Sequence, residues 1–431
     1  MSGPMHGEAV VEAQEFELAG IYSGRTHVID RARHLLQYLG PAFVISVAYI
    51  DPGNFGTNII GGSKFNYSLI WVILWSNLMA IFLQTLSAKL GIATGVNLPQ
   101  MCSMVFSRST NWVLFAIASV ATMATDLAEF LGAALGFYLL FGLPLLYAAL
   151  LTGVITLAIV SLEKYGQKTL EMLIGCLVAV ICGAYFLELF LAKPDWSAVA
   201  YHTLLPSIPN REALLIAVGM LGATVMPHVI FLHSDLVQHR NVLGCEKKAM
   251  QHLRLEKVDI AIAMNIAFIV NAAMVVVSAS VFFSRGMGCE TIEQAHHSLT
   301  PLLGSLSSAA FGIALLASGL SSSAVGTMAG QTVMKGFVNL DIPLLVRRLI
   351  TMIPGIIIIS LGINPMKALV ISQVILSFAL PGAIIPLLLV TSKTQIMGGL
   401  TNKPFTKLVG WLIASLIIGL NAVLLYFTFF G

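Results

Sequence analysis

The sequence predicts an all-α polytopic membrane protein of eleven transmembrane helices, ten of them forming two inverted repeats of five. Three observations carry that expectation. Of 431 residues, 57% are hydrophobic and only 10% charged, against roughly a quarter charged in a soluble domain; the mean hydropathy is +0.89, so lipid must solvate most of the outside. A window of about 19 residues finds eleven apolar segments along the chain. Two of those segments, the first and the sixth, carry proline and polar residues near mid-depth, and five spans separate one interruption from the next.

Residues 1–37 are polar, with four acidic side chains between Glu8 and Glu17 and no short apolar run ahead of a cleavage site. They are expected to form a flexible cytoplasmic tail, with no cleaved signal peptide. Residues 38–191 make the first five-helix repeat, with spans near 39–60, 67–93, 112–140, 144–162 and 170–191. An external loop, 192–210, precedes the second repeat over 211–391, whose spans fall near 211–237, 257–283, 302–328, 345–362 and 366–391. A loop and the eleventh span, near 406–430, fill 392–431.

Orientation follows from charge. Alternating the loops between faces places eighteen of the 23 Lys and Arg on the amino-terminal side and leaves five, Lys64, Lys193, Arg211, Arg285 and Lys367, on the other. By the positive-inside rule the amino terminus is cytoplasmic and the carboxyl terminus outside, in a cell (inner) membrane. A net charge of +3 is too small to imply a nucleic-acid partner. Cys102, Cys176, Cys182, Cys245 and Cys289 show no paired spacing, hence no disulfide or zinc framework. No GxxxxGK[ST] motif occurs, so ATP hydrolysis within this chain is not expected. Small-residue runs at Gly132–Gly136 and Ser318–Ser323 are read as sites of close helix packing.

The first span reads LGPAFVISVAYIDPGNFGTNII. Pro52 removes a backbone donor and Gly53 tolerates unusual dihedrals, so carbonyls near Ala48 and Tyr49 lose their intrahelical partners. In hydrocarbon such a break survives only where it lines a protein cavity, and the ionisable Asp51 beside it suggests a cation site. The sixth span repeats the pattern with Gly222, Pro227 and His228, Pro227 lying 175 residues after Pro52. A lone proline kink in a membrane helix is commonly silent. Paired interruptions in equivalent helices of two halves instead mark an inverted-repeat transporter with a midplane site.

These residues resemble a known family. Asp51-Pro52-Gly53-Asn54 and Met226-Pro227-His228, together with Ala124-Thr125-Asp126-Leu127-Ala128-Glu129-Phe130 and Ser372-Gln373-Val374, are similar to the signatures of the Nramp divalent-metal transporters, with the proton-driven bacterial manganese branch the nearest match. The resemblance implies a LeuT-like 5+5 inverted repeat with unwound first and sixth helices. It also implies a divalent ion held by the Asp51 and Asn54 side chains, the Met226 sulfur and the carbonyls of Ala48 and Ala223, with Gln373 joining in some states. The bare chemistry agrees, because oxygen donors plus one thioether suit Mn²⁺ and Fe²⁺ better than Ca²⁺ or Mg²⁺.

Asp126 and Glu129, three residues apart, share one face of the third span, and Arg347 and Arg348 at the start of the ninth are their expected counterions. With His228, whose imidazole titrates near neutrality, they make the expected proton track, a role the resemblance supports for the carboxylates. A buried ion network that only locks helices is the alternative for them. His233 lies about 140° round the helix from His228 and forms no chelating pair with it. For Asn77, Gln84, Thr125 and Thr224 interhelical hydrogen bonding is the default expectation.

The functional expectation is a proton-coupled symporter importing Mn²⁺ or Fe²⁺ by alternating access, not an enzyme. It uses no cofactor beyond its transported ions and has no evident obligate protein partner. Two rivals remain open at this stage. A sodium-coupled amino-acid symporter of the same architecture is disfavoured because Asp51 would repel a substrate carboxylate. A membrane-embedded metalloenzyme would need an open coordination position and a nearby base.

Overall fold

The computed structural model describes residues 41–161, 167–238 and 246–430. The tail expected over 1–37 lies outside them, as do Lys164 and Arg240 of the expected cytoplasmic charge set. The chain is helical with no strand among the described residues. In order, the helices are α1 Pro41–Ala48, α2 Pro52–Phe65, α3 Ile70–Thr94, α4 Leu98–Val105, α5 Arg108–Phe141, α6 Leu145–Ser161, α7 Gln167–Ala192, α8 Trp196–Leu204 and α9 Arg211–Thr224. They continue with α10 Pro227–Leu236, α11 Glu246–Val281, α12 Ile292–Leu303, α13 Ser305–Val338, α14 Leu344–Ser360, α15 Pro365–Thr391, α16 Thr394–Met397 and α17 Pro404–Phe430.

Eight helical stretches among the described residues are long and apolar enough to cross a bilayer, α9 with α10 counting as one. Three other expected spans fall short of that length. The first divides into α1 and α2, and α6 and α14 have 17 residues each. Several helices outrun their apolar stretch. The seventh span, expected over 257–283, begins at Glu246, and the eighth, expected over 302–328, runs to Val338. Hydropathy sees only the part in lipid, while the backbone goes on satisfying its own hydrogen bonds in water. The short helices α4, α8 and α12 lie in connections where no span was expected; Asn97 and Thr291 start α4 and α12 with reciprocal capping boxes.

Both expected breaks are present. Tyr49, Ile50 and Asp51 separate α1 from α2, and Val225 and Met226 separate α9 from α10. The broken pair lies at the centre of the molecule. Helix α2 packs against α11, α9 and α15, while α10 packs against α3 and α13, and α5 lies along α13. Close approach follows the small residues. A side-chain carbon on Gly132 would come 2.1 Å from Pro52, and one on Gly319 would come 2.6 Å from the Ala133 nitrogen. The glycine and serine runs therefore let α5, α2 and α13 touch at backbone distance.

Candidate functional site

Proline chemistry positions the first ligand candidates. In an α-helix the N–H of residue i bonds the carbonyl of residue i−4. Residues 52 and 227 are prolines and have no N–H. The carbonyls deprived of an intrahelical partner are therefore those of Ala48 and Ala223, at equivalent places in the two breaks. Each proline occupies the first position of the next helix, where its fixed φ starts the turn.

Asp51 caps α2, its Oδ1 accepting from the Asn54 backbone N–H at 2.8 Å. The same oxygen accepts from Asn54 Nδ2 at 2.7 Å. That amide also reaches the Tyr49 carbonyl at 3.1 Å and, across to the other broken helix, the Ala223 carbonyl at 3.2 Å. Asn54 thus ties the two interruptions together. Met226, at the head of α10, is fully buried beside them in sequence. Gln373 reaches the site from α15; its side chain lies where a Gly53 Cβ would stand, with Nε2 1.8 Å from that position. Only glycine at 53 leaves room for it.

Asp51, Asn54 and Gln373 are each 0% exposed, yet Asp51 Oδ2, Asn54 Oδ1 and Gln373 Oε1 have no hydrogen-bond partner. Buried acceptors are normally paired, so three orphaned oxygens in residues packed together leave room for a hydrogen-bond donor or a cation. Among the described residues no group of three or more His, Cys, Asp and Glu forms a metal centre. The breaks instead bring together one carboxylate, the side-chain amides of Asn54 and Gln373 and backbone carbonyls, with Met226 buried next in sequence to Pro227.

A second polar cluster lies alongside. Arg348 Nη1 donates to Asp126 Oδ1 at 3.0 Å, and its other terminus donates to Ser323 Oγ. Arg347 Nη2 stands 3.6 Å from Asp126 Oδ2 and donates to the Gly326 carbonyl at 3.2 Å. Both arginines therefore pair with Asp126. Glu129 was expected to share them, but neither of its fully buried oxygens has a hydrogen-bond partner. It packs against Gly326, where a Cβ would come 2.7 Å from its Oε2. His228 Nδ1 lies 3.2 Å from Thr125 Oγ1, and its Nε2 is unpartnered.

Sequence reasoning missed a third group. His233 Nε2 contacts Glu256 Oε1 at 3.0 Å and its Nδ1 contacts Gln84 Oε1 at 2.8 Å, while Gln84 donates to the Tyr49 hydroxyl. All four are buried. An intramembrane glutamate 23 positions from a histidine has no telltale spacing, so only the fold brings them together. The default for Gln84 and Thr125 holds. Thr224 departs from it, donating to the Met220 carbonyl of its own helix at 2.8 Å.

Helix order and the buried polar break between two half-helices define a multi-pass membrane protein of the LeuT-like class. Mhp1, a nucleobase-cation-symport-1 family transporter in a closed conformation, shares this fold at TM-score 0.59 and 16% identity, over 90% of each chain. Residues 42–427 match the family model described as natural resistance-associated macrophage protein-like, and the chain belongs to the Nramp family. It is 68% identical over 404 residues, 94% of each chain, to the divalent metal cation transporter MntH of Clostridium acetobutylicum. The crystal structure of the Eremococcus coleocola manganese transporter is similar at TM-score 0.83 and 33% identity, covering 93% of this chain and 87% of that one.

Proposed function

We propose that this protein is a proton-coupled symporter that brings divalent transition-metal ions, Mn²⁺ or Fe²⁺, into the cell by alternating access at the paired helix breaks. One observation carries the reading. The Asn54 amide spans Asp51 and the Ala223 carbonyl while Asp51 Oδ2, Asn54 Oδ1 and Gln373 Oε1 remain buried and unpaired, an arrangement suited to a cation. The divalent metal cation transporter and the manganese transporter to which this chain is similar support the same cargo.

In this reading Asp51 supplies the charge, Asn54, Gln373 and the carbonyls of Ala48 and Ala223 supply neutral oxygens, and Met226 supplies the sulfur. Calcium and magnesium favour all-oxygen shells, so the thioether discriminates against them. Protons pass by way of His228, Glu129 and the Asp126 pair with Arg347 and Arg348. Glu129 suits the task because no partner fixes its charge state. Entry into a negative interior releases about 2.3 kcal/mol per charge per 100 mV. One divalent ion with one proton thus gains roughly 7 kcal/mol per 100 mV.

The test is Mn²⁺ uptake into proteoliposomes with internal pH recorded. Asp51→Ala abolishes both uptake and the accompanying acidification. Substantial surviving uptake would remove the site, and uptake unaccompanied by proton entry would remove the coupling.

A further inference from the structure

Breaking the first span frees three consecutive carbonyls, not one. Ser46 and Val47 are closed by the chain itself, accepting from the N–H groups of Tyr49 and Ile50 at 3.1 Å each. Asp51 is likewise closed by the first turn of α2, accepting from Asn54 and Phe55. Ala48, Tyr49 and Ile50 lie between. Two of these three are taken by side chains from distant helices. Asn271, on α11, donates Nδ2 to the Tyr49 carbonyl at 2.6 Å, closer than the 3.1 Å contact from the Asn54 amide, and Ser318, on α13, donates Oγ to the Ile50 carbonyl at 2.5 Å. Asn271 is itself held, its Oδ1 accepting from Asn58 Nδ2 at 2.8 Å. Asn271 and Ser318 are 2% and 0% exposed, so water does not replace them. Among the described residues none donates to Ala48.

We propose that Asn271 and Ser318 are positioning residues that determine ion selectivity by withholding the Tyr49 and Ile50 carbonyls from the ion, so that the first break offers it a single backbone oxygen. This rests on the metal-transport reading above. The physical reason is ligand count. Calcium takes six to eight oxygens in flexible geometry, whereas transition ions accept fewer donors including sulfur. Each carbonyl released from its side-chain donor adds a hard oxygen to the pocket wall and moves it toward calcium. Neither residue is among the proposed ion ligands; both act through backbone atoms.

The experiment uses the full chain in proteoliposomes and measures Mn²⁺ uptake with Ca²⁺ as competitor. Ser318→Ala removes one hydroxyl and frees the Ile50 carbonyl. It is expected to keep Mn²⁺ uptake within about threefold while lowering the Ca²⁺ concentration for half-inhibition about tenfold, the scale of one hydrogen bond. Ser318→Thr restores the donor and returns the wild-type Ca²⁺ profile. Asn271→Ala leaves the Tyr49 carbonyl only its longer contact from Asn54 and shifts Ca²⁺ inhibition in the same direction by less; if it does not fold, the Ser318 pair decides alone. An unchanged Ca²⁺ profile in Ser318→Ala, or a loss of both ions in equal measure without rescue by threonine, overturns the proposal. Mn²⁺ uptake surviving in Asp51→Ala would instead overturn the reading beneath it, so the two failures are distinct.

Discussion

Replacing Gly222 with alanine tests whether backbone contact between α9 and α15 keeps Ala223 beside Gln373. A methyl group there would stand 2.0 Å from the Gln373 carbonyl oxygen and 2.8 Å from the Ser377 nitrogen. Against the 3.4 Å at which ordinary contact begins, the shortfall is about 1.4 Å, and both obstructing atoms are backbone. No rotamer change relieves it, so the helices must part. Alanine gains about 1 kcal/mol over glycine in a helix, whereas overpacking costs about 1–3 kcal/mol and more when backbone must move. The sum is destabilising. Gly219, one turn earlier on α9, supplies the control. Its added carbon would lie 3.2 Å from Thr57 Cγ2, a misfit of a few tenths of an ångström that one methyl absorbs, so the helix-propensity gain prevails. Thermal unfolding in detergent and Mn²⁺ uptake should separate the two. Gly222→Ala should melt lower and lose at least tenfold in uptake, since displacements near 1 Å at a reacting centre cost on the order of a hundredfold. Gly219→Ala should melt at or slightly above wild type and match it in uptake. Equal uptake by the two variants would show that this helix contact does not set the site.

Met226→Ala should retain Mn²⁺ uptake and acquire Ca²⁺ competition, and calcium rejection as strong as wild type in the same assay would place selectivity elsewhere. Asp126→Asn leaves Arg348, 2% exposed, without its charge partner and should cost about 3–5 kcal/mol. Glu129→Gln breaks no hydrogen bond or ion pair and should unfold close to wild type; the reverse order in melting temperature contradicts the pairing described. Burial, and then the neighbouring His297, lowers the His296 pKa below its ordinary 6.5, so folding favours the neutral ring bonded to Ser308. That contribution is complete above pH 6.5 and is lost as pH falls below it toward the folded-state value. Hydrogen-exchange protection factors over α12 should therefore drop between pH 7.5 and pH 5, and constant protection would count against it.

The breaks were legible because proline has no donor wherever it stands, so Pro52 points to a carbonyl near Ala48, while Ala223 comes from the family resemblance and the same geometry at Pro227 agrees with it. The pairing of Asp126 with Arg347 and Arg348 was legible because charge in lipid demands a partner. That Asp126 takes both arginines and leaves Glu129 without either is a matter of reach across α5, α13 and α14, which no spacing encodes. Asn271 and Ser318 were hidden for a related reason. A single amide or hydroxyl in an apolar helix reads as generic interhelical glue, and only the fold shows which carbonyl it holds. Helix ends beyond the hydrocarbon, such as the first turns of α11, escaped because hydropathy records solvent, not backbone conformation.

Four half-helix ends meet where the spans are interrupted. The amino ends of α2 and α10 each bring roughly half a positive charge, and the carboxyl ends of α1 and α9 each bring roughly half a negative one. These contributions cancel in sum, leaving the Asp51 carboxylate as the net electrical character of the chamber. An arriving dication adds two positive charges in surroundings that screen poorly. On the proposed reading, loading and emptying are electrical events felt by every titratable group nearby, a route by which ion occupancy would bias protonation without any shared ligand.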